Sequence, residues 1–183
     1  MGVQWRERAF VLLAGLILCS PVLSQETRVR MPFQITSAAF AQGSAIPKNY
    51  SCEGTDISPA LHWGDPPAGT QSFAMVMDDP DAPAGTWVHW VLWNVPGGTR
   101  DLGENVPKQQ ELPDGSRQGR NDFRKVGYNG PCPPGGKTHR YFFRLYALDT
   151  KLDLRPGSGR PDLDSAMKGH VLGETELMGT FRR

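Results

Sequence analysis

What the sequence has little of already narrows what it can do. It holds only 3 cysteines, none in a C-x-x-C pair or at metal-like spacing from a histidine, so zinc sites and thiol redox chemistry are disfavoured. The 20 Lys and Arg nearly cancel the 19 Asp and Glu, a formal +1, which leaves no overall field to gather nucleic acid or an anionic membrane. Charge-driven recognition has to be local. No internal repeat is visible, and there is no G-x-S-x-G elbow, no H-E-x-x-H and no cysteine beside a histidine, so no nucleophile is marked out by motif. No apolar run reaches the roughly 20 residues that span a bilayer.

What is present is 183 residues, enough for one domain with a sizeable core, carrying 21 Gly and 16 Pro spread along the chain. That density opposes long helices and, without a repeat, excludes collagen and linker classes. The N-terminus reads as a leader. Arg6 and Arg8 precede an 11-residue apolar run over 9–19, followed by small residues over 20–24, which is the pattern of a signal peptide over 1–24. Cleavage there places the start of the mature chain near Gln25 and leaves 18 basic and 18 acidic side chains on a neutral exported domain, residues 25–183, with no transmembrane segment. Leu18 before Cys19 argues against lipid attachment.

Export leaves two cysteines, Cys52 and Cys132, in a compartment that permits disulfides; a bridge between them is expected, with two buried free thiols as the alternative. Asn49-Tyr50-Ser51 is a glycosylation sequon, relevant only where exported chains are glycosylated.

Strand signals dominate. Residues 33–36, 61–63, 72–77, 88–94, 139–148 and 174–181 read as strands, separated by Gly, Pro and Asp clusters. One helix is expected over 162–172, where Leu163, Met167 and Val171 recur at helical spacing and Gly173 stops it. Residues 99–125 read as a polar surface excursion with few apolar anchors, open to motion.

Chemistry concentrates in three stretches. In Asp78-Asp79-Pro80-Asp81-Ala82-Pro83 the prolines stiffen the loop, so Asp79 and Asp81 can project to one side; Asp-Pro pairs are equally ordinary turn formers. In Trp87-Val88-His89-Trp90-Val91-Leu92-Trp93, alternation puts Trp87, His89, Val91 and Trp93 on one face. In 128–141, Gly136-Lys137-Thr138 imitates a phosphate loop. The first glycine of that motif would fall on Pro131, three prolines lack the amide donors a phosphate cradle needs, and a strand follows instead of a helix. Nucleotide hydrolysis is rejected. What remains is a stiff loop delivering His139 and Tyr141 to one strand face. Two carboxylates, two imidazoles and a phenol suit a small-anion pocket, since the carboxylates orient the imidazoles and favour their charged, donating form. Metal ligation through oxygen and nitrogen, and general acid/base work, are the competing uses of the same groups.

Residues 58–63 (SPALHW), 79–83 (DPDAP), 89–94 (HWVLWN), 130–134 (GPCPP) and His139-Arg140-Tyr141, in that order, resemble the motifs of the phosphatidylethanolamine-binding protein (PEBP) family, most closely its bacterial and archaeal Raf-kinase-inhibitor-like branch. The likeness runs from Phe33 to Phe181. It implies a mainly β fold, an antiparallel β-sandwich with few peripheral helices, one of them near the C-terminus. It also implies a small cavity for phosphate, acetate or a phospholipid head group, lined by Asp79, Asp81, Trp87, His89, Gly130, Pro131, His139 and Tyr141. A ligand-binding, non-catalytic protein without a cofactor is the reading that follows. The alternatives are an inhibitor of a protease or kinase acting through surface loops such as 99–125, and an Asp/His-based metal-dependent hydrolase. The sequence ends at Arg183 without the C-terminal helical extension of the animal members, so lipid gating or partner contacts made by that element are not expected to carry over.

Overall fold

The computed structural model describes residues 1–2 and 32–183; the leader expected over 1–24 lies, beyond its first two residues, outside the described residues. Two antiparallel sheets dominate. The smaller orders β1 (Ile35–Thr36), β2 (Leu61–Trp63) and β5 (Asp101–Leu102) as β1-β2-β5. The larger orders β3 (Ser72–Asp79), β4 (Trp87–Pro96), β6 (Arg117–Gln118), β7 (Thr138–Leu148) and β8 (Val171–Arg182) as β6-β4-β3-β7-β8. A short 3-10 turn, Lys48–Tyr50, and one α-helix, α1 (Arg160–Met167), complete the elements among the described residues.

The apolar run of β3 follows from its place. All eight of its residues are buried, because β4 and β7 flank it and both faces are covered. On the inner face Phe73, Met75 and Met77 meet Ile35, Leu61 and Trp63 of the smaller sheet, with the Trp63 and Phe73 rings 5.3 Å apart. On the outer face Ala74 and Val76 pack with Leu152, Leu163 and Met167. A strand buried on both sides loses the polar alternation of a half-exposed one, as 72–77 does.

Three expectations are corrected. The helix is shorter than 162–172: Gly169, at φ +85°, takes a left-handed turn that an L-residue resists, the helix ends at Met167, and Val171 opens β8. Its N-terminus is Gly159, whose N–H donates to the Asp162 carboxylate at 2.9 Å. Second, strict alternation fails in β4. Met77 pairs with Trp90 but Asp78 with Val88, so a bulge falls at His89. The extra residue keeps Trp90 and Leu92 on the inner face after His89 and sends Val91 and Trp93 to the outer cluster with Val88. Third, 99–125 is anchored. Leu102, Val106 and Leu112 enter the inner core, and the buried Gln118 amide accepts from Trp90 Nε1 (2.7 Å) and donates to the Pro107 and Gln109 carbonyls (both 2.7 Å).

Candidate functional site

At one end of the larger sheet, where β3 finishes, β4 begins and β7 begins, a cavity of about 340 Å³ opens between three loops. Each loop is tied down by side chains accepting backbone amides. Leaving β3, Asp79 Oδ1 accepts the Asp81 N–H (2.8 Å), folding the chain back at Pro80. Asp81 in turn accepts from the backbone N–H, Nε and Nη2 of Arg140 at 2.9, 2.9 and 2.7 Å, clamping this loop to the start of β7. The Arg140 hydrogen bond to its side chain holds the Asp81 carboxyl down at about 2.

The second loop, 121–125, is held at the bulge. Asp122 exchanges bonds with Val88, its Oδ2 accepting the Val88 N–H at 2.7 Å, while Asn121 Oδ1 accepts the N–H groups of Phe123 and Lys125, both at 3.1 Å. This turn lays Phe123 edge-on to Trp87 and His89, with ring centroids 5.5 and 5.2 Å apart. The third loop, 128–134, docks on residues 50–56. Tyr128 donates its hydroxyl to the Tyr50 carbonyl (2.5 Å), Gly130 N–H donates to Asp56 Oδ1 (2.6 Å), and Cys52 N–H donates to the Pro131 carbonyl (3.1 Å). A Cβ on Gly130 would lie 2.0 Å from the Tyr50 carbonyl oxygen, so only glycine permits this approach. The sulfurs of Cys52 and Cys132 lie 2.09 Å apart on the same junction, and Cys132 forms part of the cavity wall.

The floor is polar and the walls are apolar. Asp79, His89 and His139 line the floor; Ala82, Pro83, Trp87, Phe123 and Pro133 are among the walls. His139 Nδ1 lies 2.8 Å from Asp79 Oδ2, both side chains buried. His89, 2% exposed, points Nδ1 at the Asn129 carbonyl at 2.7 Å. A carbonyl only accepts, so His89 Nδ1 carries the hydrogen. Burial pushes the His89 pKa down, against the Asn129 carbonyl and the Asp79 charge, which favours the neutral ring. Behind His89, with ring centroids 5.3 Å apart, stands Tyr141; burial and the Asp79 charge hold its hydroxyl protonated, and that buried hydroxyl has no hydrogen-bond partner among the described residues. No cluster of three or more His, Cys, Asp or Glu with metal-holding geometry occurs among the described residues.

Residues 36–182 match the family described as phosphatidylethanolamine-binding protein. The chain belongs to that family. Among PEBP relatives, a UPF0098 protein of Methanothermobacter thermautotrophicus is 54% identical over 145 residues, covering 79% of this chain and 95% of the relative. A UPF0098 protein of Pyrococcus horikoshii is 43% identical over 176 residues, covering 94% and 88%. Two solved structures share the fold. One is a putative PEBP homolog from Chlamydia trachomatis, at TM-score 0.76 and 38% identity over 82% of this chain and 97% of that one. The other is Escherichia coli YbcL, described as a new member of the mammalian PEBP family, at TM-score 0.77 and 34% identity over 82% and 98%.

Of the residues singled out from the sequence of this PEBP member, the structure brings Asp79, Trp87, His89 and His139 into the cavity lining. Asp81, Gly130, Pro131 and Tyr141 do not line it. Asp81 faces Arg140, Gly130 and Pro131 brace the third loop through Asp56 and Cys52, and Tyr141 backs His89. Sequence reasoning missed Phe123, Asp56 and Asn121. Phe123 is an isolated aromatic in a polar stretch. Asp56 and Asn121 act on backbone groups up to 74 residues away, so no local pattern marks them.

Proposed function

We propose that this PEBP family member is an exported binding protein that takes a small oxyanion, phosphate or a phosphorylated head group, into the cavity of Asp79, His89 and His139, and releases it unchanged. The observation that carries the reading is the pair of imidazoles on the cavity floor. Each has Nδ1 tied back into the protein, to Asn129 and to Asp79, which leaves Nε2 as the ring nitrogen for a ligand. An imidazolium backed by a carboxylate is a donor suited to an oxyanion in a dry site. The apolar walls exclude water and accommodate the organic part of an ester.

Export is supported by the basic start, the short apolar run and the small residues over 1–24, and a Cys52–Cys132 bridge suits an oxidising compartment. The non-catalytic reading is supported by the lining: among the described residues no hydroxyl side chain lines the cavity, and the Cys132 sulfur is engaged with Cys52. Calorimetric titration with phosphoethanolamine tests the assignment. The wild-type protein binds, and His139→Ala lowers the affinity at least about tenfold, the loss of one charge-assisted hydrogen bond. Equal affinity in the two proteins would remove the pocket assignment.

A further inference from the structure

The hydrogen positions in the cavity say more than that an anion fits. Asp79 is an acceptor at both oxygens, taking the Asp81 N–H on Oδ1 and facing His139 Nδ1 with Oδ2. His139 Nδ1 therefore donates, and Nε2 can gain a proton to meet an anion. His89 differs. Its Nδ1 hydrogen is committed to the Asn129 carbonyl, and that carbonyl is held in place: Asn129 N–H donates to the His89 carbonyl (3.1 Å), and its side chain bonds Asn121 (2.8 Å) and Asp56 (3.2 Å). A buried neutral ring in this tautomer presents Nε2 as a lone pair, an acceptor.

Burial outweighs the Asp79 and Asp122 charges, which favour protonation, and keeps His89 neutral among the groups that face it. Those groups are Asp79 on β3, His139 and Tyr141 on β7, and Asp122 with Phe123 on the 121–125 turn. Among the described residues no lysine or arginine lines the cavity, and Arg140, beside His139 on β7, is held by Asp81. The floor thus combines one chargeable donor, His139, with one standing acceptor, His89, and a carboxylate. A dianion would face a lone pair and a negative charge with a single imidazolium to offset them.

Resting on the anion-pocket reading above, we propose that the cavity selects the protonated, mono-anionic form of phosphate or a phosphomonoester over sulfate, with the ligand P–O–H donating to His89 Nε2 and an unprotonated oxygen accepting from His139 Nε2. Sulfate has the same size and shape but carries no proton to donate at working pH. A site with a buried acceptor rejects an analogue lacking the matching donor, because the acceptor is then left desolvated and unpaired.

The experiment is calorimetry of the full protein with inorganic phosphate and with sulfate, each at about pH 5.5 and about pH 8, in buffers of different ionisation enthalpy. Phosphate loses its second proton near pH 6 to 7, so above that range binding of the mono-anion requires proton uptake. The expected result is phosphate tighter than sulfate by at least about tenfold, weaker as pH rises, with close to one more proton taken up per phosphate than per sulfate at the higher pH, since protonation of His139 Nε2 accompanies either anion. Equal affinities, or equal proton uptake for phosphate and sulfate at the higher pH, overturn this proposal and leave the anion pocket standing. Absence of binding by phosphate, phosphoethanolamine and sulfate alike overturns both. Nitrogen-15 shifts of the His89 ring supply a second reading that needs no variant: Nδ1 protonated and Nε2 bare at neutral pH supports the proposal, and the opposite tautomer contradicts it.

Discussion

Asp78 and Asp79 are neighbours at the end of β3 and almost equally buried, 4% and 3% exposed, yet they serve opposite faces of the sheet. On the outer face Asp78 Oδ2 meets two guanidinium groups, Arg144 Nε at 3.3 Å and Arg160 Nη1 at 3.1 Å. Those arginines are engaged further by Glu176 and Asp164. On the inner face Asp79 meets one imidazole. A guanidinium is charged at every working pH and can only donate, so the Asp78 cluster is a fixed ion-pair network joining α1 and β7 to β3. An imidazole has a second nitrogen and an adjustable charge, so Asp79 passes its influence through His139 to a cavity. Equal burial says little about role; the partner's chemistry decides it.

The comparison can be broken or sharpened at three strengths. The largest effect is expected from the tie beside the Asp79 side. A bridge between Cys52 and Cys132, 80 positions apart, would on a chain-entropy account stabilise by about 4 kcal/mol. Cys52→Ser should lower the urea midpoint correspondingly and, because Cys132 lines the cavity, weaken phosphate binding as well. Next is the outer cluster. Asp78→Asn leaves Arg144 and Arg160 without their shared carboxylate and should cost about 2 kcal/mol in thermal unfolding, reduced from a fully buried case because both arginines reach solvent. The smallest effect belongs to Asp81. Its folded carboxyl sits at about 2 against an ordinary 3.8, so ionised Asp81 favours the folded state above about pH 4, and the contribution disappears as pH falls through 2. Acid unfolding of wild type and Asp81→Asn should accordingly differ above pH 4 and converge near pH 2; a difference constant across that range would break the assignment to the Arg140 clamp.

How much of this was legible in the chain depended on range. The long strands were, because 72–77, 88–94 and 139–148 carry dense apolar or alternating signals. So were Asp79, Trp87, His89 and His139, and the prolines at 83, 133 and 134 that stand beside them. The bulge at His89 was not, since it is defined by the register of β4 against β3 and leaves no mark in the sequence of β4 alone. The α1 boundary was misplaced because Val171 continues the helical spacing by coincidence while Gly169 breaks the backbone. The buried anchoring of 99–125 escaped because Gln118 and Asn121 read as surface polar residues, whereas each satisfies backbone groups or an indole inside the fold.

The most direct measurement titrates phosphoethanolamine into Asp79→Asn and Asp78→Asn side by side, with folding of each verified by circular dichroism. The account predicts binding lost or reduced at least about tenfold in Asp79→Asn and retained near the wild-type level in Asp78→Asn despite its lower stability. Binding retained in Asp79→Asn and lost in Asp78→Asn would place the ligand on the outer face and contradict the account.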